Sequence, residues 1–168
     1  QAKVFTSEMA IKVTNDALQV FGAAGYGREA EFKGRPALLV IDVNYGFVGD
    51  EAEDILESIT KYPNSCGAEG WRAMERLVPV LEAARGRALP ILYTTADDDH
   101  YLLDRHSWGV KNKRVDQWRG GSDDTRIRAN RIPDMISPQS GEVTILKKKP
   151  SAFFGPPLLQ YLITLGVD

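Results

Sequence analysis

The stretch Ala37-Leu38-Leu39-Val40-Ile41-Asp42-Val43 decides the fold. It is an unbroken apolar run that closes on an acid. A strand wetted on one side alternates apolar and polar residues. A run without alternation suits a strand covered on both faces, as in a parallel sheet. The position of Asp42 matters as much as its charge. In open α/β sheets the carboxyl ends of the strands border the crevice where ligands bind, so an acid placed there is a candidate site residue.

Two more runs of this kind lie downstream. Leu89–Thr95 (LPILYTT) reads as a second buried strand, with Pro90 near its start, where a missing donor is tolerated. Glu142–Lys147 (EVTILK) reads as a third, ending in Lys147. Between the first two, a short helix is expected around Ala52–Thr60, then a longer one around Glu69–Arg87. Trp71, Met74, Val78 and Leu81 share one face of the longer helix, with Ala73, Leu77 and Ala84 flanking, and Gly86 weakens its end. Pro156-Pro157 opens a last helix, since proline suits the first turn; Leu158, Leu159, Leu162 and Leu165 give it an apolar face. The order strand, helix, strand, long loop, strand, helix implies an α/β fold with parallel strands and right-handed crossovers.

Residues 96–141 are polar and too long for a plain connection, so they read as a functional loop, with Ile127, Ile132, Met135 and Ile136 making a short helical return. Upstream, Phe5, Met9, Val13, Ala17 and Val20 recur at helical spacing, and Gly22-Ala23-Ala24-Gly25 ends that helix. Residues 26–36 carry Gly and Pro and read as a linker. The expected organisation is a helical segment over residues 1–29 and an α/β domain over 30–168.

Composition removes several classes of function. Lys and Arg number 21 against 23 Asp and Glu, a net charge of -2, without the basic excess of a phosphate-driven nucleic-acid binder. The run Lys147-Lys148-Lys149 is too short to change that. No apolar run approaches the ~18 residues that a membrane span needs. The single cysteine, Cys66, excludes an intrachain disulfide framework and a multi-cysteine zinc site. With no secretory apolar segment, it points to a cytoplasmic setting.

Asp42 and Lys147 each end a strand run, so both can reach one crevice. A carboxylate beside an ammonium can act as a base toward a thiol or water, and the ammonium can steady a developing oxyanion. The same pair can also be a structural ion pair between strand ends, and spacing alone leaves both readings open. Asp97-Asp98-Asp99-His100 could suit a divalent ion, but it reads as a solvated acidic loop; no metal is expected.

These motifs, in this order, resemble the cysteine hydrolases of the isochorismatase-like superfamily. The carriers are Ala37–Asp42 followed by Asn44-Tyr45-Gly46-Phe47, the strand LPILYTT, and Lys147-Lys148-Lys149-Pro150-Ser151-Ala152-Phe153-Phe154-Gly155. Ser65-Cys66-Gly67-Ala68-Glu69-Gly70-Trp71 is similar to the branch of N-carbamoylsarcosine amidases. The resemblance covers about residues 31–168. It implies a three-layer Rossmann-like parallel sheet and hydrolysis of a C–N bond in a small amide or carbamoyl compound. It matches Asp42 to the base, and Lys147 to the lysine by its spacing to Ser-Ala-Phe. Phe47 and Trp108 are candidates for substrate contact. The resemblance also implies a homo-oligomer and no cofactor. Its nucleophilic cysteine would follow the next strand, beyond Asp168, so the sheet is expected to be incomplete and the chain as written inactive; Cys66 reads as a loop cysteine.

Two other readings stay open: a vinyl ether hydrolase that needs no cysteine, and a non-catalytic truncated or composite α/β fragment. Residues 2–29 are similar to a segment of the carboxy-terminal domain of acyl-CoA dehydrogenases, with Gln19, Phe21, Gly22, Gly25 and Tyr26 in register. Flavin binding is not expected from that helix alone.

Overall fold

A computed structural model describes residues 35–97 and 123–167. The chain divides between Gly34 and Arg35, and every described residue belongs to the second unit. The expected helix through Phe5, Met9, Val13, Ala17 and Val20, together with His100 and Trp108, lies outside the described residues.

Among the described residues, three parallel strands form a sheet: β1 (Leu38–Ile41), β2 (Ile91–Ala96) and β3 (Val143–Lys147), in the order β1-β2-β3. Five helices accompany them among the described residues: α1 (Tyr45–Val48), α2 (Ile55–Lys61), α3 (Ala68–Gly86), α4 (Asp123–Ala129) and α5 (Leu158–Thr164). A 3₁₀ turn spans Asp134–Ile136.

Alternation along β2 sorts the core into two layers, because successive side chains of a strand point to opposite faces. Ile91 and Tyr93 pack with Val40 against Met74, Leu81 and Ala84 of α3. Leu92, one residue out of phase, packs with Ile145 against Leu158 of α5. The result is helix, sheet, helix: the three-layer α/β arrangement. β2 is buried at every position from Ile91 to Thr95, which is why its sequence shows no alternation.

Several expectations change. Ile41 is 61% exposed, although its run is uniformly apolar. It sits on an edge strand, and the α5 layer reaches Leu39 but not Ile41. Leu159 is 57% exposed, because Leu158, Leu162 and Leu165 form the inward stripe of α5 and Leu159 lies about a quarter turn away. Ala73 is exposed on α3. The short helix starts at Ile55 rather than Ala52, because the Asp54 side chain accepts from the Leu56 amide and caps it there. The single-turn α1 was not foreseen in Asn44–Asp50. In the long segment, Ile127 and Met135 are exposed, while Ile136 is buried and Ile132 packs on the α3 layer. Among the described residues no helix is long and apolar enough to cross a membrane.

Candidate active site

β1 ends at Ile41, and the next residue turns sharply. Asp42 has φ 55°, in the left-handed region that L-residues other than Asn and Asp rarely enter. Its amide donates to the Thr94 carbonyl (3.0 Å) and to Thr94 Oγ1 (3.2 Å), and its carbonyl accepts from the Asn44 amide (3.0 Å). The turn lifts the carboxylate over the carboxyl end of β2, on the face that carries Thr94.

Lys147 arrives from the other side of β2. The register pairs Thr94 with Ile145 and Ala96 with Lys147, so Thr94 and Lys147 share a face. Lys147 Nζ lies 2.5 Å from Asp42 Oδ2 and donates to the Pro150 carbonyl at 2.9 Å. The other carboxylate oxygen, Oδ1, accepts from Thr94 Oγ1 at 2.8 Å. Lys147 is buried, whereas the Asp42 side chain keeps 28% exposure. The acid is thus the member of the pair open to a substrate.

The adjacent Thr95 serves the opposite face. Its hydroxyl accepts from Asn44 Nδ2 (3.1 Å) and donates to the Asn130 carbonyl (2.5 Å). This ties the turn after β1 to the residues after α4. Tyr45 extends the tie, since its amide donates to the Arg131 carbonyl. Its ring carries the Arg128 guanidinium at 3.7 Å from the centroid. Gly46 permits this approach, because a Cβ there would lie 3.2 Å from the Ala129 carbonyl oxygen. Asn44 is buried, and its Oδ1 has no hydrogen-bond partner among the described residues. Asp50 fastens the same wall, accepting from Lys61, Tyr62 and Arg128. Burial pushes its carboxyl up, but the three hydrogen bonds together outweigh burial and hold it below the usual range.

Phe47 lies on α1, 42% exposed, and its carbonyl accepts from the Cys66 amide at 2.8 Å. Cys66 is a free thiol of intermediate burial in the turn before α3, and it makes no hydrogen bond to Asp42 or Lys147. Among the described residues no group of three or more His, Cys, Asp or Glu could hold a metal ion. Asp42 and Lys147 were legible as the ends of apolar runs. Thr94, Thr95 and Asn44 were not singled out. The available signal was two hydroxyls in succession at the end of β2, one for each face.

The arrangement offers a partly exposed carboxylate fixed by one donor on each oxygen, beside a buried cation. It can accept a proton from a group brought to its open side.

Comparison with known proteins bears on the family and the fold. Residues 36–168 match the isochorismatase domain family, and residues 1–38 match the carboxy-terminal domain of acyl-CoA dehydrogenases. N-carbamoylsarcosine amidase of an Arthrobacter species is 27% identical over 157 residues, which cover 89% of this chain and 52% of the amidase. A 28-residue stretch is 71% identical to 3-sulfinopropanoyl-CoA desulfinase of Advenella mimigardefordensis, covering 17% of this chain and 7% of the desulfinase. The chain therefore spans about half the length of the amidase and a small part of the desulfinase. The crystal structure of an isochorismatase family protein from Desulfovibrio vulgaris superposes with a TM-score of 0.55 at 20% identity, covering 80% of this chain and 64% of that one. An acid-ended β1, the parallel order β1-β2-β3 and a family match over residues 36–168 lead to one conclusion: the chain belongs to the isochorismatase domain family.

Proposed function

We propose that the α/β unit carries the acid–base part of a hydrolase that cleaves the C–N bond of a small amide or carbamoyl compound. The observation that carries this reading is the Asp42–Lys147 contact at 2.5 Å, with Asp42 left partly open. The likeness to an N-carbamoylsarcosine amidase over most of the chain supports the substrate class.

In this reading a cysteine thiol, supplied by sequence that follows Asp168, gives its proton to the Asp42 carboxylate. A free thiol is mostly protonated at neutral pH, so a base beside it supplies the nucleophile. The thiolate adds to the carbonyl carbon and the carbonyl oxygen takes the negative charge. The C–N bond then breaks, and the leaving nitrogen takes the proton back from Asp42. Water, deprotonated by the same carboxylate, cleaves the thioester and regenerates the thiol. Lys147 holds the Asp42 carboxylate in place through its contact with Oδ2 and lends positive charge to the oxyanion. Phe47, exposed on α1, is the candidate for substrate contact, and Trp108 is a second candidate from the sequence.

The test is ammonia or amine release from N-carbamoyl amino compounds and simple amides by the gene product carrying the sequence after Asp168. Asp42→Asn is expected to lower turnover by roughly 10²–10⁴-fold, the range a positioned general base supplies. Turnover close to the parent value in that variant rejects the reading.

A further inference from the structure

We propose that Thr94 is the positioning residue of the site: its hydroxyl fixes which oxygen of Asp42 faces the reacting proton. This inference rests on the proposed role of Asp42 as base. Thr94 meets Asp42 three times, through its carbonyl and its hydroxyl on the amide and through its hydroxyl on Oδ1. One hydroxyl therefore accepts from the backbone and donates to the side chain of the same residue, fixing the carboxylate relative to its own main chain.

Asp42 requires such a hold. Its left-handed backbone is locally unfavourable, and such conformations persist where surrounding contacts over-determine them. Its carboxylate has one strong partner in Lys147, on Oδ2. Without the Thr94 hydroxyl, rotation about the Cβ–Cγ bond lets either oxygen, or both, turn to the ammonium. The hydroxyl holds Oδ1 while the ammonium holds Oδ2, so the carboxylate plane is set from two neighbouring strands at once. Thr94 is itself enclosed: it is 3% exposed and lies in the middle strand of the described sheet. Its orientation is a consequence of strand alternation, since the side chains of Leu92 and Thr94 share the α5 face.

The experiment compares Thr94→Val, Thr94→Ser and Asp42→Asn in the gene product carrying the sequence after Asp168, with thermal unfolding recorded for each. Valine keeps the shape and strand preference of threonine but not the hydroxyl. Misplacing a reacting group by about 1 Å can cost ~100-fold, so Thr94→Val is expected to lower kcat by that order. KM should stay within about threefold, because the substrate contacts are untouched. Thr94→Ser should recover most of kcat.

A loss in Thr94→Val that Thr94→Ser fails to recover overturns the hydroxyl's role. So does parent-like kcat in a folded Thr94→Val enzyme whose Asp42→Asn counterpart is inactive. Activity retained in Asp42→Asn overturns the underlying reading instead, so the two failures are separable. If Thr94→Val unfolds below the assay temperature, Thr94→Ala replaces it, with the same expected kcat loss. In the 168-residue chain, amide proton shifts supply a readout independent of turnover. The Asp42 amide should move in Thr94→Val and stay near the parent position in Thr94→Ser; an unmoved amide in Thr94→Val overturns the proposal.

Discussion

Asp42 combines a chemical and a conformational demand at one residue. Its charge is held by Thr94 and Lys147, and its backbone stands at φ 55°. Asparagine accepts the left-handed region about as readily as aspartate, whereas alanine incurs a cost of roughly 1–2 kcal/mol there. Asp42→Ala is therefore expected to be less stable than Asp42→Asn by about 1 kcal/mol, as read by urea unfolding, although both remove the carboxylate. Equal stability would show that the turn relaxes when the acid is lost. The acid was legible in the sequence because it interrupts an apolar run. Its left-handed turn was not, because nothing in Ile-Asp-Val distinguishes a strand end from a strand that bends. Thr94 was hidden for a related reason: threonine in Leu-Tyr-Thr-Thr reads first as a strand former.

At the scale of elements, the end of α3 shows a mismatch between sequence and geometry. The Leu89 amide bonds the Ala84 carbonyl and the Ala88 amide bonds the Arg85 carbonyl. This is the Schellman pattern, in which the residue after the cap adopts the left-handed conformation and is usually glycine. Here that residue is Ala88, at φ 51°. The nearby glycine, Gly86, ends the regular helix two positions too early to take this role. The expected end near Arg87 agrees with the structure, but the turn that closes the helix belongs to Ala88 rather than to the weakening glycine. Ala88→Gly is expected to raise stability by about 0.5–1 kcal/mol, the relief of strain exceeding the added freedom of the unfolded chain. A lower denaturation midpoint in that variant would contradict the account. The strands and α3 were legible because they are long or strongly apolar. The single-turn α1 and the split of the long segment into α4 and a 3₁₀ turn were not, since each is fixed by contacts distant in sequence, such as Tyr45 with Arg131.

Across the whole α/β unit, one half-buried polar cluster ties α3 to β2 and to the start of β3. Arg85 of α3 donates to both oxygens of Glu142, at 2.7 and 2.9 Å, and to Tyr93 Oη at 3.3 Å. The Arg85 hydrogen bonds hold the Glu142 carboxyl below its ordinary value of 4.5, against the opposing effect of burial. A depressed acid stabilises the fold above its unfolded pKa, and that stability is lost as the pH falls below 4.5 through the folded value. Burial pushes the Tyr93 phenol up to about 12 from 10.0. A raised phenol contributes stability that is complete below pH 10.0 and is lost as the pH climbs toward about 12. Glu142→Gln should therefore unfold at a lower temperature than the parent at pH 7, with the gap narrowing as the pH falls below 4.5. A gap that stays constant down through that range would show that the carboxylate charge is not what stabilises. The exposure of Ile41 and Leu146 belongs to this scale too. Apolar patterning identifies strands, but which of them border the described sheet depends on the assembled order.

The two threonines of β2 have one further consequence. Because the backbone reverses its outlook at each step, neighbours of the same chemical identity inherit unrelated duties: Thr94 attends the acid, Thr95 the opposite wall. Deleting a single residue upstream within β2 would leave composition and hydropathy almost untouched, yet it would bring Thr95 into the place beside the acid and turn Thr94 to the opposite face, one position short of the wall that Thr95 had served. A homologue that drifts in length there must shift its hydroxyl by one place to keep the acid attended.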